Sequence, residues 1–237
     1  MIGGLFNSWS ITDNNNGSLS GSVSAAFSSF ENLMGGAGAD TFLFTNGKGV
    51  TGSIQGMGGD DTLDYALYTA GVTVNLVTHA ATAVGGGVWG IEKVLGTAAS
   101  DLLVGDAANN TLEGRGGDDV LIGGLGSDKL FGGDGSDLLL GGSTAYDGNP
   151  AMLEAIRAAW AQPSLSYATR MANVPLSPWT VLDDNATDWM DGGTGGAGNQ
   201  DWFWGLQNNG DPYQTPDAFG TLEAGEVVSQ PLDDNGG

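Results

Sequence analysis

Between Gly96 and Leu140 the chain reads GTAASDLLV, GDAANNTLE, GRGGDDVLI, GGLGSDKLF and GGDGSDLLL, five nine-residue units that follow one another without a gap. The sixth position runs Asp101, Asn110, Asp119, Asp128, Asp137, and the eighth runs Leu103, Leu112, Leu121, Leu130, Leu139. Self-similarity at a short fixed period marks a solenoid, in which each unit buries its apolar side against the next copy. The glycine-rich half of a unit turns the chain, and the last three residues form a short strand whose middle side chain faces inward. Two units close one coil. Coils stack at the strand spacing of about 4.8 Å, so residues eighteen apart lie directly above one another. The expected fold class is therefore mainly β: a right-handed parallel β-roll, or β-solenoid, with one or two C-terminal helices packed on it.

Stacking places Asp101, Asp119 and Asp137 in one column and Asn110 and Asp128 in the other. Carboxylates that close repel one another unless a cation lies between them. Calcium suits such turns, because it accepts about six to eight oxygens in tolerant geometry and the turns add backbone carbonyls. Three sites are expected within the array: Asp101 over Asp119, Asp119 over Asp137, and Asn110 over Asp128. The middle one should be tightest. Its turns carry Gly114, Gly116 and Gly117 and Gly132, Gly133 and Gly135, whereas Ala99 and Ala108 take the fourth position of the first two units. Gly123, Gly124 and Gly126 build the turn before Asp128, and Asn110 brings no charge, so that site should be weaker. Outlying copies centre on Asp40 (GGAGADTFL, 35–43) and Asp61 (GMGGDDTLD, 56–64). DWMDGG (188–193) and NQDWFWG (199–205) read as degenerate strands with Asp188 and Asp201 in the motif position.

Working outward, Val72, Val74 and Leu76 alternate with Thr73 and Asn75 as in a strand, and Trp9, Ile11, Val50 and Ile54 are further strand positions. After Gly142 the pattern breaks. Asn149 and Pro150 serve as N-cap and first residue of a helix, AMLEAIRAAWAQ, with Pro163 as its stop and a shorter helical turn around 165–174. The expected organisation is a degenerate solenoid over 1–95, the regular roll over 96–142, and a helix-containing part over 143–237 with a disordered acidic end at 231–237. Outward-pointing Leu102, Val104, Val120, Ile122, Leu138 and Leu140 make one roll face wholly aliphatic. A patch of that size is seldom left open on a monomer. Its expected cover is the helix with Trp160, or else a neighbouring copy.

Composition narrows the chemistry. The 237 residues hold 6 Lys and Arg against 28 Asp and Glu, for a formal charge of -22, which disfavours nucleic acid and anionic membranes as partners. Membrane insertion is not expected, since no stretch approaches transmembrane length. No cysteine is present and His79 is the lone histidine, so thiolate zinc sites and imidazole catalysis are not expected. G-x-S-x-G, H-E-x-x-H and P-loop patterns are missing as well, and no catalytic role is expected. The start, MIGGLFNSWSITDNNNG, lacks the features of a Sec signal peptide. A trimmed chain, or export by a route that reads no N-terminal signal, is the expectation.

The units at 96–140 resemble the calcium-binding repeats of RTX (hemolysin-type) toxins, proteases and adhesins exported by type I secretion. SFENLMGGAGADTFLF (29–44), VTGSIQGMGGDDTLDY (50–65), VTVNLVT (72–78), GIEKVLG (90–96) and TAYDGNPAMLEAI (144–156) are similar to modules of giant repetitive surface adhesins. This resemblance implies folding outside the bacterial cell, where calcium is plentiful, and a structural or adhesive role at the surface or in extracellular matrix. Self-assembly into a filament or layer, through the aliphatic face or the solenoid ends, is one further expectation. Binding of cell-surface glycans by Trp189, Trp202, Phe203 and Trp204, or service as the non-catalytic repeat region of a secreted enzyme, are the alternatives.

Overall fold

The computed structural model describes residues 6–21, 24–176, 181–182, 186–193, 201–204, 218–219 and 227–229. Residues 231–237, expected to be a disordered end, lie outside them.

Each unit forms the turn and strand that its residues specify. Lys93–Leu95, Thr111–Gly116, Lys129–Asp134 and Trp189–Asp191 pair in parallel on one sheet. Leu102–Val104, Val120–Ile122, Leu138–Leu140 and Trp202–Trp204 do so on the other. Val94, Leu112, Leu130 and Met190 form one inward column, and Val74, Leu103, Leu121, Leu139 and Phe203 form the facing one. All of them are buried in a single core. Burying a leucine stabilises by about 1.5–3 kcal/mol, so the eighth position of every unit holds its coil to the next.

Among the described residues the first sheet has ten strands. Beyond Lys93–Leu95 it continues through Thr62–Leu67, Asp40–Thr45 and Asn7–Asp13, then ends in the antiparallel strands Asn16–Gly21 and Ala25–Phe27. The second has seven, reaching Thr73–Asn75 and the antiparallel Ala80–Ala81. A third sheet of Leu33–Gly36, Ser53–Met57 and Gly87–Trp89 serves the N-terminal coils. These coils are wider and aromatic side chains fill them. Trp9 stacks on Phe42 at 5.9 Å, and Phe44 stacks on Tyr65 at 4.6 Å.

Between Leu140 and the resumed coil the chain makes two helices, α1 (Pro150–Trp160) and α2 (Tyr167–Asn173). Asn149 caps α1 by accepting from the Met152 N–H, and Ser166 caps α2 by accepting from Thr169, each satisfying a donor that the first helical turn leaves open. Leu153, Ile156 and Trp160 form the buried stripe of α1 and join Leu102, Val104, Val120, Ile122, Leu138 and Leu140 in a second apolar cluster. The six aliphatic residues are at most 1% exposed. That face is therefore covered from within the chain and is not free for a second copy. The glycan platform is corrected too: Trp202 and Phe203 are buried, because their strand stacks on Leu138–Leu140, while Trp189 on the other sheet is 43% exposed.

Candidate metal centres

The motif Asp closes each turn at the point where the strand begins, and one of its oxygens fastens the coils together. The Asp101 N–H donates to Asp119 Oδ1 (2.7 Å), Asp119 N–H to Asp137 Oδ1 (2.8 Å), and Asp137 N–H to Asp201 Oδ1 (2.7 Å). In the other column Asn110 N–H donates to Asp128 Oδ1 (2.7 Å) and Asp128 N–H to Asp188 Oδ1 (2.8 Å). Asp40 N–H donates to Asp61 Oδ1 (2.7 Å) in the N-terminal coils. Hydrogen bonds to a charged acceptor are roughly twice as strong as neutral ones. Asp188 and Asp201 thus take motif positions despite the long insertion before them.

The second oxygen is different. Oδ2 of Asp40, Asp61, Asp119 and Asp137 is buried and accepts no hydrogen bond, although these residues are at most 1% exposed. A buried charge without compensation is costly, so the fold leaves four carboxylates asking for a cation or a proton. The first glycine of the unit makes room for this oxygen. A Cβ on Gly114 would meet Asp119 Oδ2, and one on Gly132 would meet Asp137 Oδ2. Further along the turn the backbone enters the left-handed region, at φ 105° for Gly124 and Gly126 and 108° for Gly133. Met57 and Arg115 occupy the second position of their units at φ 84° and 81°.

The first two regular turns satisfy themselves. Thr97 N–H donates to Asp101 Oδ2 (2.7 Å) and Val72 N–H to its Oδ1 (2.6 Å). Asp106 N–H donates to Asn110 Oδ1 (2.7 Å), and the Asn110 amide lies 3.5 Å from the Ile91 carbonyl. Without glycine at the second and fourth positions these turns curl onto their own motif residue.

Two members of the columns escaped the sequence reading. Glu92 accepts from the Asp61 N–H (2.8 Å), and the Asn7 amide donates to Asp40 Oδ1 (2.5 Å). Glu92 stands before Lys93-Val94-Leu95 as Asp128 stands before Lys129-Leu130-Phe131, so the x-U-x half was the available signal. Gly87 and Gly90 stand at the first and fourth positions of that unit, but Val88 and Trp89 between them and Glu in place of Asp mask the motif.

Burial pushes the carboxyls of Asp61 and Asp101 up to about 6. Asp119 and Asp137 are raised as well, first by burial and, for Asp119, next by the carboxylates of Asp137 and Asp101. Among the described residues no three acidic or imidazole side chains converge on one point; a calcium ion bound here would need oxygen ligands beyond the carboxylates, of the kind that turn carbonyls supply.

The helices reach this column from outside. Trp160 Nε1 donates to the Ser136 carbonyl (2.6 Å), and Arg170 Nη1 donates to Asp118 Oδ2 (3.0 Å) while its guanidinium lies 4.9 Å from the centre of the Trp160 ring. Ser136 N–H donates to Asp118 Oδ1 (3.0 Å). Each contact falls one residue before a motif Asp.

The chain matches the family model of the RTX calcium-binding nonapeptide repeat over residues 95–130 and 114–145, as four copies. No match was found among curated proteins. No helix of the described residues is long and apolar enough to cross a membrane. A period of nine, a buried Asp or Asn at each regular turn and this match agree: residues 95–145 of this mainly β chain are RTX calcium-binding nonapeptide repeats, which take several calcium ions.

Proposed function

We propose that the chain is an extracellular structural or adhesive module of a bacterial surface, exported by type I secretion, whose right-handed roll folds when calcium binds its turns. The observation that carries this reading is the set of buried, unpartnered Oδ2 atoms of Asp40, Asp61, Asp119 and Asp137. Calcium, when bound, supplies the positive charge that these stacked carboxylates lack. The ligand residues are Asp119 and Asp137 with the turns 114–118 and 132–136, Asp128 and Asp188 with the turn 123–127, Asp137 with Asp201, and Asp40 with Asp61. Asp101 and Asn110 belong to the same columns but already hold the N–H groups of Thr97 and Asp106, so they bind most weakly. The three parts, 1–95, 96–142 and 143–237, act as one continuous solenoid with a helical insertion. Right-handed coiling follows the strong preference of parallel crossovers. The role needs no catalytic step.

Circular dichroism and light scattering of the calcium-free protein, titrated with calcium and in parallel with magnesium, test the reading. The expected result is a coil-to-β transition specific to calcium, at about 0.1–1 mM as in extracellular calcium modules. A rise in scattering together with that transition supports assembly into a filament or layer, and a flat trace supports an isolated module. An unchanged spectrum on calcium addition would sink the proposal.

A further inference from the structure

The two outer faces of the roll are treated differently. The face of Leu102, Val120 and Leu138 is sealed by α1, whereas no described element packs over the face that carries Lys93, Glu113 and Phe131. Across it runs an open groove of about 700 Å³, lined by Lys93, Glu113, Arg115, Phe131, Asp134 and Asp191 among others. These residues come from four successive coils, in the register Leu95, Glu113, Phe131, Asp191. The groove therefore runs along the solenoid axis for three steps of about 4.8 Å and suits an elongated ligand.

Its polar groups are only loosely engaged. Arg115 lies 3.3 Å from Glu113 and 3.9 Å from Asp64, and Lys93 lies 3.9 Å from Glu113, yet Arg115 Nε makes no hydrogen bond. Guanidinium and ammonium donors thus alternate with carboxylate acceptors beside a half-buried Phe131 ring. Arg115 is also an expensive residue to keep. It sits at φ 81°, where the next two units have Gly124 and Gly133, so the roll itself would favour glycine there.

We propose that this groove binds a neutral polysaccharide strand. Sugar hydroxyls both donate and accept, which matches interleaved cations and carboxylates, and the apolar face of a sugar ring packs on an aromatic side chain. Anionic polymers fit poorly, because Glu113, Asp134 and Asp191 outnumber Lys93 and Arg115 in the groove and the whole chain carries a formal charge of -22. The groove borders the central metal column, since Arg115 and Asp134 belong to the turns 114–118 and 132–136, but it does not rest on the module's proposed adhesive role.

Affinity electrophoresis of the calcium-loaded full chain through gels containing dextran, laminarin, mannan or galactomannan tests the proposal, with carboxymethylcellulose as the charged control. Retardation by at least one neutral polymer and none by the charged one is expected. Arg115→Gly and Phe131→Ala should each weaken that retardation at least tenfold. Phe131→Ala keeps the calcium-induced β spectrum, because Phe131 is a half-buried strand residue outside the turns that hold calcium, and so separates a lost site from a lost fold. No retardation in any neutral gel, preferential retardation by the charged polymer, or full retardation of both variants would overturn the proposal.

Discussion

At the scale of single residues, the division of labour within one carboxylate explains the repeat. Oδ1 of Asp119 binds the Asp101 N–H and holds the coil, and Oδ2 waits buried. Replacing Asp119 by Asn should keep the hydrogen bond, remove the buried charge and leave the central site one of its two carboxylates. The calcium concentration at the folding midpoint is then expected to rise about tenfold, worth about 1.4 kcal/mol, as read by circular dichroism. A Cβ on Gly114 would press on the same oxygen, so Gly114→Ala should shift the midpoint in the same direction. Acid should act in place of calcium. Asp61 and Asp101 titrate near 6 in the fold against an ordinary 3.8, and Asp119 and Asp137 are raised too. Their folded forms favour the proton, so their contribution is complete below about pH 4 and drains as pH climbs through 6 and beyond. Asp13 and Glu154 run the opposite way, but both sit in exposed ion pairs of little weight. In calcium-free buffer the β signal in circular dichroism should therefore be stronger at pH 4.5 than at pH 7.5, and a stronger signal at pH 7.5 would contradict this account. Much of the column was readable from the period alone, because Asp and Leu recur at fixed positions. The private bonds of Thr97 and Asp106, and Glu92 in a motif position, were not, since each depends on a local backbone path that the period does not encode.

At the scale of elements, α1 is the piece that lets an aliphatic sheet face exist in water. Asn149 before Pro150 is a start signal that sequence carries openly, and the spacing of Leu153, Ile156 and Trp160 names the buried side. What lies opposite that side is fixed by the insertion's return path, and this path is set by contacts distant in sequence: Trp160 to Ser136 and Arg170 to Asp118. Replacing Trp160 by Phe should keep most of the packing and lose the indole hydrogen bond, costing about 1 kcal/mol. Trp160→Ala should cost about 3–5 kcal/mol, measured by denaturant unfolding in saturating calcium. Ile156→Asp should undock α1 and raise binding of a hydrophobic dye to the uncovered strands. Equal dye binding by Ile156→Asp and the native chain would show that the face is held by something else.

At the scale of the whole molecule, the roll is a stack in which each coil bonds chiefly to its neighbours, so its stability is close to a sum of coil and interface contributions. Its N-terminal end is closed by antiparallel strands, Asn16–Gly21 and Ala25–Phe27 on one sheet and Ala80–Ala81 on another, which changes the edge offered to a further copy. The aromatic filling of the wide coils, Trp9 on Phe42 and Phe44 on Tyr65, escaped the nonapeptide pattern, because those coils do not keep its length. The helical insertion alters how such a stack bears load. Pulled along its axis, a column of coils unzips one rung at a time, since only one ladder of bonds resists at any moment. Here α1 lies across Leu102–Val104 and Val120–Ile122 while Trp160 and Arg170 grip the turns at Ser136 and Asp118. Three rungs are thus lashed to a common spar. Under tension in single-molecule stretching they should give way together as one large rupture, leaving the N-terminal coils to peel away in smaller steps.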